Sequence, residues 1–450
     1  MKTVSRLFVI SDLHLGGDAP SMMSHPEALS SFIDGLPAHR GTDEDVELVI
    51  AGDFVDFLAI PPQACWTPDA DVATAKLQSL LDAPFSIVVS ALRRFLATGH
   101  DLTLLVGNHD VELALPPVQD ALCRMLDTPR HRVRFVDDGR AYRRGGLLIE
   151  HGNRYDEVNG NDWTHLRAIG SALSRTEAPP VRLEVSAGSR IVETVVNPIK
   201  ARYPFIDLLQ PQNELVALLL LAFEPKLIWH WDKIGRMVRA ARLQRKNREG
   251  AQPGRTTNVS GQGNKPLDAA LDAAFDEPYR SLMSMSTATE DVGAIDDLHV
   301  VIEAQRESLS EILDRRETIP KKRLEQIRVV LARILADDES LSRQGPTEQY
   351  GRAAERMGKG GVQTVVMGHT HLARHIGPET LATYINTGTW ADLIQVPGEA
   401  VMLGNDAALN DFLIRLKDDR NVRGFVPTYA EITLDETDRV LTAALEEFRP

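Results

Sequence analysis

The sequence predicts an α/β fold interrupted by a large, mainly α-helical insertion, and three observations predict it. Five short apolar runs rich in branched residues each end in Asp, Asn or His. Candidate amphipathic helices separate the early runs, which is the alternation of an α/β sheet. From about residue 156 to 361, between the fourth and fifth runs, strand signals almost vanish and helical periodicity with charged faces replaces them.

Taken in order, Leu7-Phe8-Val9-Ile10 leads into Ser11-Asp12-Leu13-His14, and Glu47-Leu48-Val49-Ile50-Ala51 leads into Gly52-Asp53-Phe54-Val55-Asp56. Ser86 to Leu96 has the spacing of a helix that runs to a stop at Gly99. Leu102 to Val106 leads into Gly107-Asn108-His109-Asp110, and Pro117 to Leu126 reads as a short helix with proline in its first turn. Leu147 to Glu150 leads into His151-Gly152. After Gly361 the strands return: Thr364 to Met367 leads into Gly368-His369-Thr370-His371, followed by strand signals from Thr383 and from Tyr429 to Leu434. In α/β sheets, ligands and metals sit at the C-terminal ends of strands. One such run is ordinary; five that all deliver metal-binding side chains are not.

The chain has 450 residues, 43% of them hydrophobic, and a formal net charge of −14. That length allows two domains or one domain with a large insertion. The acidic balance argues against a nonspecific nucleic-acid binder, which needs clustered Lys and Arg. Cys65 and Cys123 lie outside the five clusters and lack zinc-thiolate spacing, so they fit a reducing compartment, and a cytoplasmic location is expected. The apolar run after Arg6 is interrupted at Asp12, which is too soon for a cleaved signal. The run from Leu215 to Phe223 falls far short of the ~20 residues that a spanning helix needs.

Within the insertion, the stretch from Pro204 to Trp231 is apolar and Trp-rich, and the basic residues Lys233, Arg236, Arg239, Arg242, Arg245, Lys246 and Arg248 follow it. It reads as a buried helical hairpin or as an apolar, basic-flanked surface for peripheral membrane contact. Gly250 to Lys265 reads as a loop, and Ile302 to Leu341 as two amphipathic helices broken near Pro320. Both ends of the insertion leave from the clusters, so a helical cap over them is expected.

Asp12 and His14 are two residues apart at a strand end, which in an extended strand turns both side chains to one side. Oxygen and imidazole ligands without thiolate suit Mn, Fe, Zn, Co or Ni and do not select among them. Asp53 is a short carboxylate with two oxygens and can bridge two cations ~3.5–4 Å apart. Asn108 offers a neutral carbonyl oxygen, and His151, His369 and His371 complete a donor set.

The series Asp-Leu-His, Gly-Asp-Phe-Val-Asp, Gly-Asn-His-Asp, His-Gly, Gly-His-Thr-His resembles the calcineurin-like metallophosphoesterase superfamily in order and spacing. The resemblance covers residues 1–155 and 362–450 and implies a β-sandwich flanked by helices as the catalytic domain, with 156–361 as the helical insertion. It implies two divalent transition-metal ions, one held by Asp12, His14, Asp53 and His371, the other by Asp53, Asn108, His151 and His369, with a bridging hydroxide as nucleophile. By the same matching, His109 is the acid at the leaving group and Asp56 its orienting partner, with Asp110 as competitor. A weaker likeness, in Gly-Asp-Phe-Val-Asp-Phe and the basic apolar insertion, is to the UDP-2,3-diacylglucosamine hydrolases, which carry Arg where His109 stands and a much shorter insertion. Arg154, Tyr155 and Asn159, just after His151, are candidates to face the substrate or to build their own loop.

The expected activity is hydrolysis of a phosphomonoester, phosphodiester or pyrophosphate on a phosphorylated small molecule. A lipid-linked nucleotide-sugar pyrophosphate is the alternative substrate. The alternative of a different class is a non-catalytic binding scaffold with the same fold.

Overall fold

The computed structural model describes residues 4–18, 21–39, 44–156, 159–200, 203, 205–210, 319–321, 324–325, 327–328, 331, 348–377, 382–418 and 422–449. The loop expected at 250–265, the helices expected over 302–341 apart from scattered positions, and the Trp-rich, basic stretch beyond residue 210 lie outside the described residues.

The described strands in chain order are β1 (Val4–Ile10), β2 (Glu44–Ala51), β3 (Asp101–Leu105), β4 (Val133–Val136), β5 (Tyr142–Arg144), β6 (Leu147–Ile149), β7 (Leu209–Gln210), β8 (Thr364–Met367), β9 (Arg374–Ile376), β10 (Thr383–Asn386), β11 (Ile394–Gln395), β12 (Thr428–Leu434) and β13 (Val440–Glu447). One six-stranded sheet has the order β13-β12-β1-β2-β3-β4, and a five-stranded sheet has the order β5-β6-β8-β10-β9. β1 to β4 run parallel, as do β6, β8 and β10; β12, β13, β5 and β9 join antiparallel.

The continuous apolar runs follow from burial on both faces. In β1, Leu7 and Val9 point into the layer between the sheets, where they join Val49, Ala51, Leu105, Ile149, Val366 and Ile385. Phe8 and Ile10 point the other way, onto the helices α1 (Pro26–Gly35), α2 (Ala70–Gln78), α3 (Ser86–Ala97) and α4 (Pro116–Met125). The outer face of the second sheet packs Leu148, Val365 and Met367 on Tyr350, Ala353 and Ala354 of the helix Glu348–Lys359. The result is a β-sandwich with helices on both sides.

Local chemistry fixes the helix ends. Asp69 caps α2 by accepting from Asp71 N at 2.9 Å and Val72 N at 3.3 Å, and α1 and α4 begin at prolines. In α3, Val88, Val89, Leu92, Phe95 and Leu96 fall on one buried stripe. Truncation of Leu92 to Ala there costs about 2–5 kcal/mol.

The chain forms two compact units: residues 1–198, 342–392 and 425–450 in the first, residues 199–341 and 393–424 in the second. In the second, β7 pairs in parallel with β11, Ile319 N donates to Asn410 Oδ1 at 3.0 Å, and Arg328 pairs with Asp406 at 3.2 Å. The helices Trp163–Leu173 and Glu348–Lys359 belong to the first unit.

Candidate active site

Every residue of the expected donor set follows the C-terminal end of a strand in the first unit. Asp12 and His14 follow β1, Asp53 and Asp56 follow β2, Asn108 to Asp110 follow β3, His151 follows β6, and His369 and His371 follow β8. The first three strands belong to one sheet and the last two to the other, so both sheets feed one site.

The mechanism of placement differs from strand alternation. β1 ends at Ile10, and Asp12 (φ +55°) and His14 (φ +48°) sit in left-handed turn conformations beyond it. Asp53 (φ +52°), His369 (φ +71°) and His371 (φ +58°) do the same. Backbone of this kind in non-glycine residues persists only where surrounding contacts impose it, and it clusters at functional sites. Here the contacts are mutual: Leu13 N and His14 N both donate to Asp53 O at 2.9 and 3.0 Å, and Gly368 N donates to His151 O at 2.9 Å. A side chain at Gly107 would collide with Asp53 Oδ1, and one at Gly52, whose φ is +94°, would enter the His151 ring.

Asp12, His14 and His371 place one donor atom each within 4.8 Å of one another, and Asp53, His151 and His369 do likewise. In the first group the two Nε2 atoms of His14 and His371 face each other at 3.0 Å, and His371 Nε2 lies 3.3 Å from Asp12 Oδ1. Asp12 Oδ1 has no hydrogen-bond partner among the described residues although it is buried. In the second, His151 Nε2 meets Asn108 Oδ1 at 3.1 Å and Asp53 Oδ2 at 3.2 Å, while its Nδ1 donates to Ala51 O at 2.9 Å. His369 Nε2 lies 3.1 Å from Asp156 Oδ2.

The electrostatics show how these groups coexist in a buried site. Burial alone raises the Asp12 carboxyl, but His151 and His371 outweigh it and bring it down to about 2. Asp53 is also held well below its ordinary range, His151 and His109 overcoming its burial. Burial and the neighbouring His109 push His14 down to about 3, so its ring is neutral at pH 7. His151 is driven the other way, to about 10: burial opposes its charge, but Asp53 and Asp12 prevail. The proton on His151 Nε2 thus sits where an imidazole nitrogen, a carboxylate oxygen and an amide oxygen converge, the donor set of a hard-to-borderline cation. The buried Asp12 oxygen beside His371 Nε2 and the facing imidazole nitrogens of the first group suit a cation as well. The residues present fit divalent metal binding.

A third cluster joins His14, Asp56 and His109. His109 Nδ1 lies 3.1 Å from Asp56 Oδ1, and its ring meets His14 edge-on at 4.7 Å. Asp110 is engaged elsewhere: it accepts from Gly107 N at 2.6 Å and Phe54 N at 2.8 Å, tying the turns after β2 and β3 together. Burial and the Asp53 charge push Asp110 up to about 7.

Arg154, Tyr155 and Asn159, candidates to face the substrate or to build their own loop, lie in or next to the turn after His151. Arg154 Nε lies 3.1 Å from Glu150 Oε2, and its Nη2 donates to Gly139 O. Tyr155 OH donates to Glu150 Oε1 at 2.5 Å, and Asn159 Nδ2 donates to Asp156 Oδ2 at 2.7 Å. Sequence reasoning passed over Asp156, which touches His369, and Ser11, whose hydroxyl donates to Asp12 Oδ2. Asp156 carries no motif of its own; Ser11 stands directly before a ligand, which was the available signal.

The fold and the buried His/Asp groups fit a metal-dependent phosphoric ester hydrolase. Residues 5–194 match the family model described as calcineurin-like phosphoesterase, and the chain therefore carries a domain of the calcineurin-like metallophosphoesterase superfamily. The match includes Asp12 to His151, while His369 and His371 lie beyond it and are brought to the same site by β8. A search of curated proteins finds no match. Among the described residues no helix is long and apolar enough to cross a membrane.

Proposed function

We propose that this domain hydrolyses a phosphomonoester, phosphodiester or pyrophosphate with two divalent transition-metal ions that share Asp53. The observation that carries this reading is the position of Asp53, whose Oδ2 lies 3.2 Å from His151 Nε2 in one group and 4.0 Å from His14 Nε2 in the other. Asp12, His14 and His371 with Asp53 hold one ion; Asn108, His151 and His369 with Asp53 hold the other. Two such ions supply a water that loses its proton near neutral pH and positive charge opposite the phosphate oxygens. His109 donates a proton to the leaving oxygen, and Asp56 orients its ring and keeps it charged. The site charge, about +2 once two ions offset only two carboxylates, draws in a phosphate despite the acidic chain.

Manganese is the first metal to test. In this reading a lipid-linked nucleotide-sugar pyrophosphate is the second substrate, supported by the apolar, basic sequence from Pro204 to Arg248, which also supports peripheral membrane contact. The free thiols of Cys65 and Cys123 support a cytoplasmic location. The test is hydrolysis by chelator-stripped protein reloaded singly with Mn, Fe, Zn, Co or Ni, against nitrophenyl mono- and diesters and a nucleotide-sugar pyrophosphate. Stripped protein should be inactive and at least one metal should restore turnover. Activity indifferent to the chelator, or none with any metal and substrate, would sink the proposal.

A further inference from the structure

We propose that Asp156 is a positioning residue of the metal centre: its carboxylate accepts the Nε2–H of His369 and so turns Nδ1 of that ring toward the cation shared with Asp53 and His151. The inference rests on the dinuclear reading above and adds to it a residue outside the expected donor set.

His369 Nε2 lies 3.1 Å from Asp156 Oδ2, with the two side chains 8% and 15% exposed, so the pair is largely shielded from water. A neutral imidazole carries one N–H and one lone pair, and an ionised carboxylate can only accept. The nitrogen that faces Asp156 is therefore the one that keeps the proton, and Nδ1 is left as the donor to a metal.

Asp156 is held in place for this. Asp156 N donates to Asn153 O at 3.1 Å, closing a single turn directly after His151. Asn153 Nδ2 donates to Asn159 O at 3.0 Å, and Asn159 Nδ2 returns to Asp156 Oδ2 at 2.7 Å. The two histidines of this group thus share one support: β6 and β8 pair in parallel, and the turn leaving β6 carries the carboxylate that orients the histidine leaving β8.

His151 also has its tautomer set, by donation from Nδ1 to Ala51 O at 2.9 Å, which leaves Nε2 for the metal. In the other group, Nδ1 of His14 and Nδ1 of His371 have no hydrogen-bond partner among the described residues. Among the described residues, only the Asp53–His151–His369 group therefore has both histidines fixed by a second set of partners, and only its affinity should respond to Asp156.

The experiment is calorimetric titration of the metal-free full-length chain with Mn(II), with thermal melts as a check of folding. Wild type should show two classes of site. Asp156→Ala should weaken one class about 10–100-fold and leave the other unchanged. Asp156→Asn should retain most of the affinity, because Asn159 and His369 both address the same oxygen and one amide oxygen can accept from both. In a His369→Ala background, Asp156→Ala should have no further effect on metal affinity. Undiminished affinity in Asp156→Ala, an Asn variant as weak as the Ala variant, or additive effects with His369→Ala would each overturn the inference alone. A wild-type chain that takes up no Mn(II) would overturn the dinuclear reading and this inference with it.

Discussion

His109 Nδ1 lies 3.1 Å from Asp56 Oδ1, and the contact is held by backbone on both sides. Phe57 N donates to His109 O at 3.1 Å, and His109 N donates to Asp53 Oδ1 at 2.8 Å, so the two turns cannot move apart without disturbing the carboxylate between the metal groups. Burial opposes a charge on His109, but Asp56 and Asp53 outweigh it and raise the ring to about 9. In the proposed reading, a protonated imidazole at neutral pH beside the two donor groups is the acid for a poor leaving group, which a metal ion cannot protonate. His109→Ala should keep its metals, lose roughly 10²–10⁴-fold on an alkyl phosphate ester, and lose much less on a nitrophenyl ester whose phenolate leaves unaided. Equal losses on the two substrates would rule out proton donation and leave phosphate binding as the role of His109.

If Asp53 bridges as proposed, Asp53→Ala should remove most of both metals: its Oδ2 is 3.2 Å from His151 Nε2 of its own group and 4.0 Å from His14 Nε2 of the other. Elemental analysis after dialysis decides this, with His14→Ala as the comparison that should lose mainly one. Two equivalents retained in the Asp53 variant would show that it does not bridge.

Ser11 is predicted to matter to the first metal group more than its size implies. Its hydroxyl donates to Asp12 Oδ2, and its oxygen lies 2.7 Å from Thr387 Oγ1, with all three residues wholly buried. His369 N also donates to Asp12 Oδ2, at 2.9 Å, so that oxygen is saturated and Oδ1 is left for the cation. Ser11→Ala strips one donor from Asp12 Oδ2 and leaves the Thr387 hydroxyl only its longer contact to Met367 O at 3.4 Å, a loss that at buried groups costs about 1–3 kcal/mol. Urea denaturation of metal-free protein measures it; a change below about 0.5 kcal/mol would mean that the relay does not hold Asp12.

Much of this site was legible because its residues are local in sequence. Each residue of the expected donor set follows an apolar strand within a few residues, so Asp12, Asp53, Asn108, His151 and His369 could be read as strand-end groups without knowing how the strands pair. What was not legible is what depends on tertiary pairing. That Asp110 would turn to the backbone of Gly107 and Phe54 while Asp56 met His109 is decided by turn geometry, not by spacing. The left-handed backbone of Asp12, His14, Asp53, His369 and His371 is equally a product of the interlocked turns. β13 was missed because Val440-Leu441-Thr442-Ala443-Ala444-Leu445 is an edge strand with exposed positions, and its Ala, Leu and Glu content carries no strand preference. Beyond residue 210 the apolar, basic stretch remains a statement about sequence.

The last prediction concerns a buried pair behind the catalytic turn. Lys76 Nζ donates to Phe57 O at 3.1 Å and to Thr67 Oγ1 at 2.9 Å, and Glu112 Oε1 accepts from Thr67 N at 2.9 Å; Lys76 and Glu112 are 2% and 1% exposed. Lys76 therefore braces the residue next to Asp56, and Glu112 keeps a counter-charge in reach. Burial pushes Glu112 up to about 7, with Lys76 and the Thr67 contacts pulling the other way. Because the folded value lies above the ordinary 4.5, the fold holds the proton more tightly than the unfolded chain does. Its contribution to stability is therefore full below about pH 4.5 and falls as pH rises to about 7, where it levels off. The loss is about 3 kcal/mol as an order of magnitude. Glu112→Gln keeps an oxygen for Thr67 N and removes the titration. The histidines and carboxylates of the metal site titrate in both proteins, so the difference between their unfolding free energies across pH 4 to about 8 isolates this one group. The variant should gain on wild type as pH rises through that window; a difference that stays flat would show that Glu112 enters the fold with its charge already balanced by Lys76.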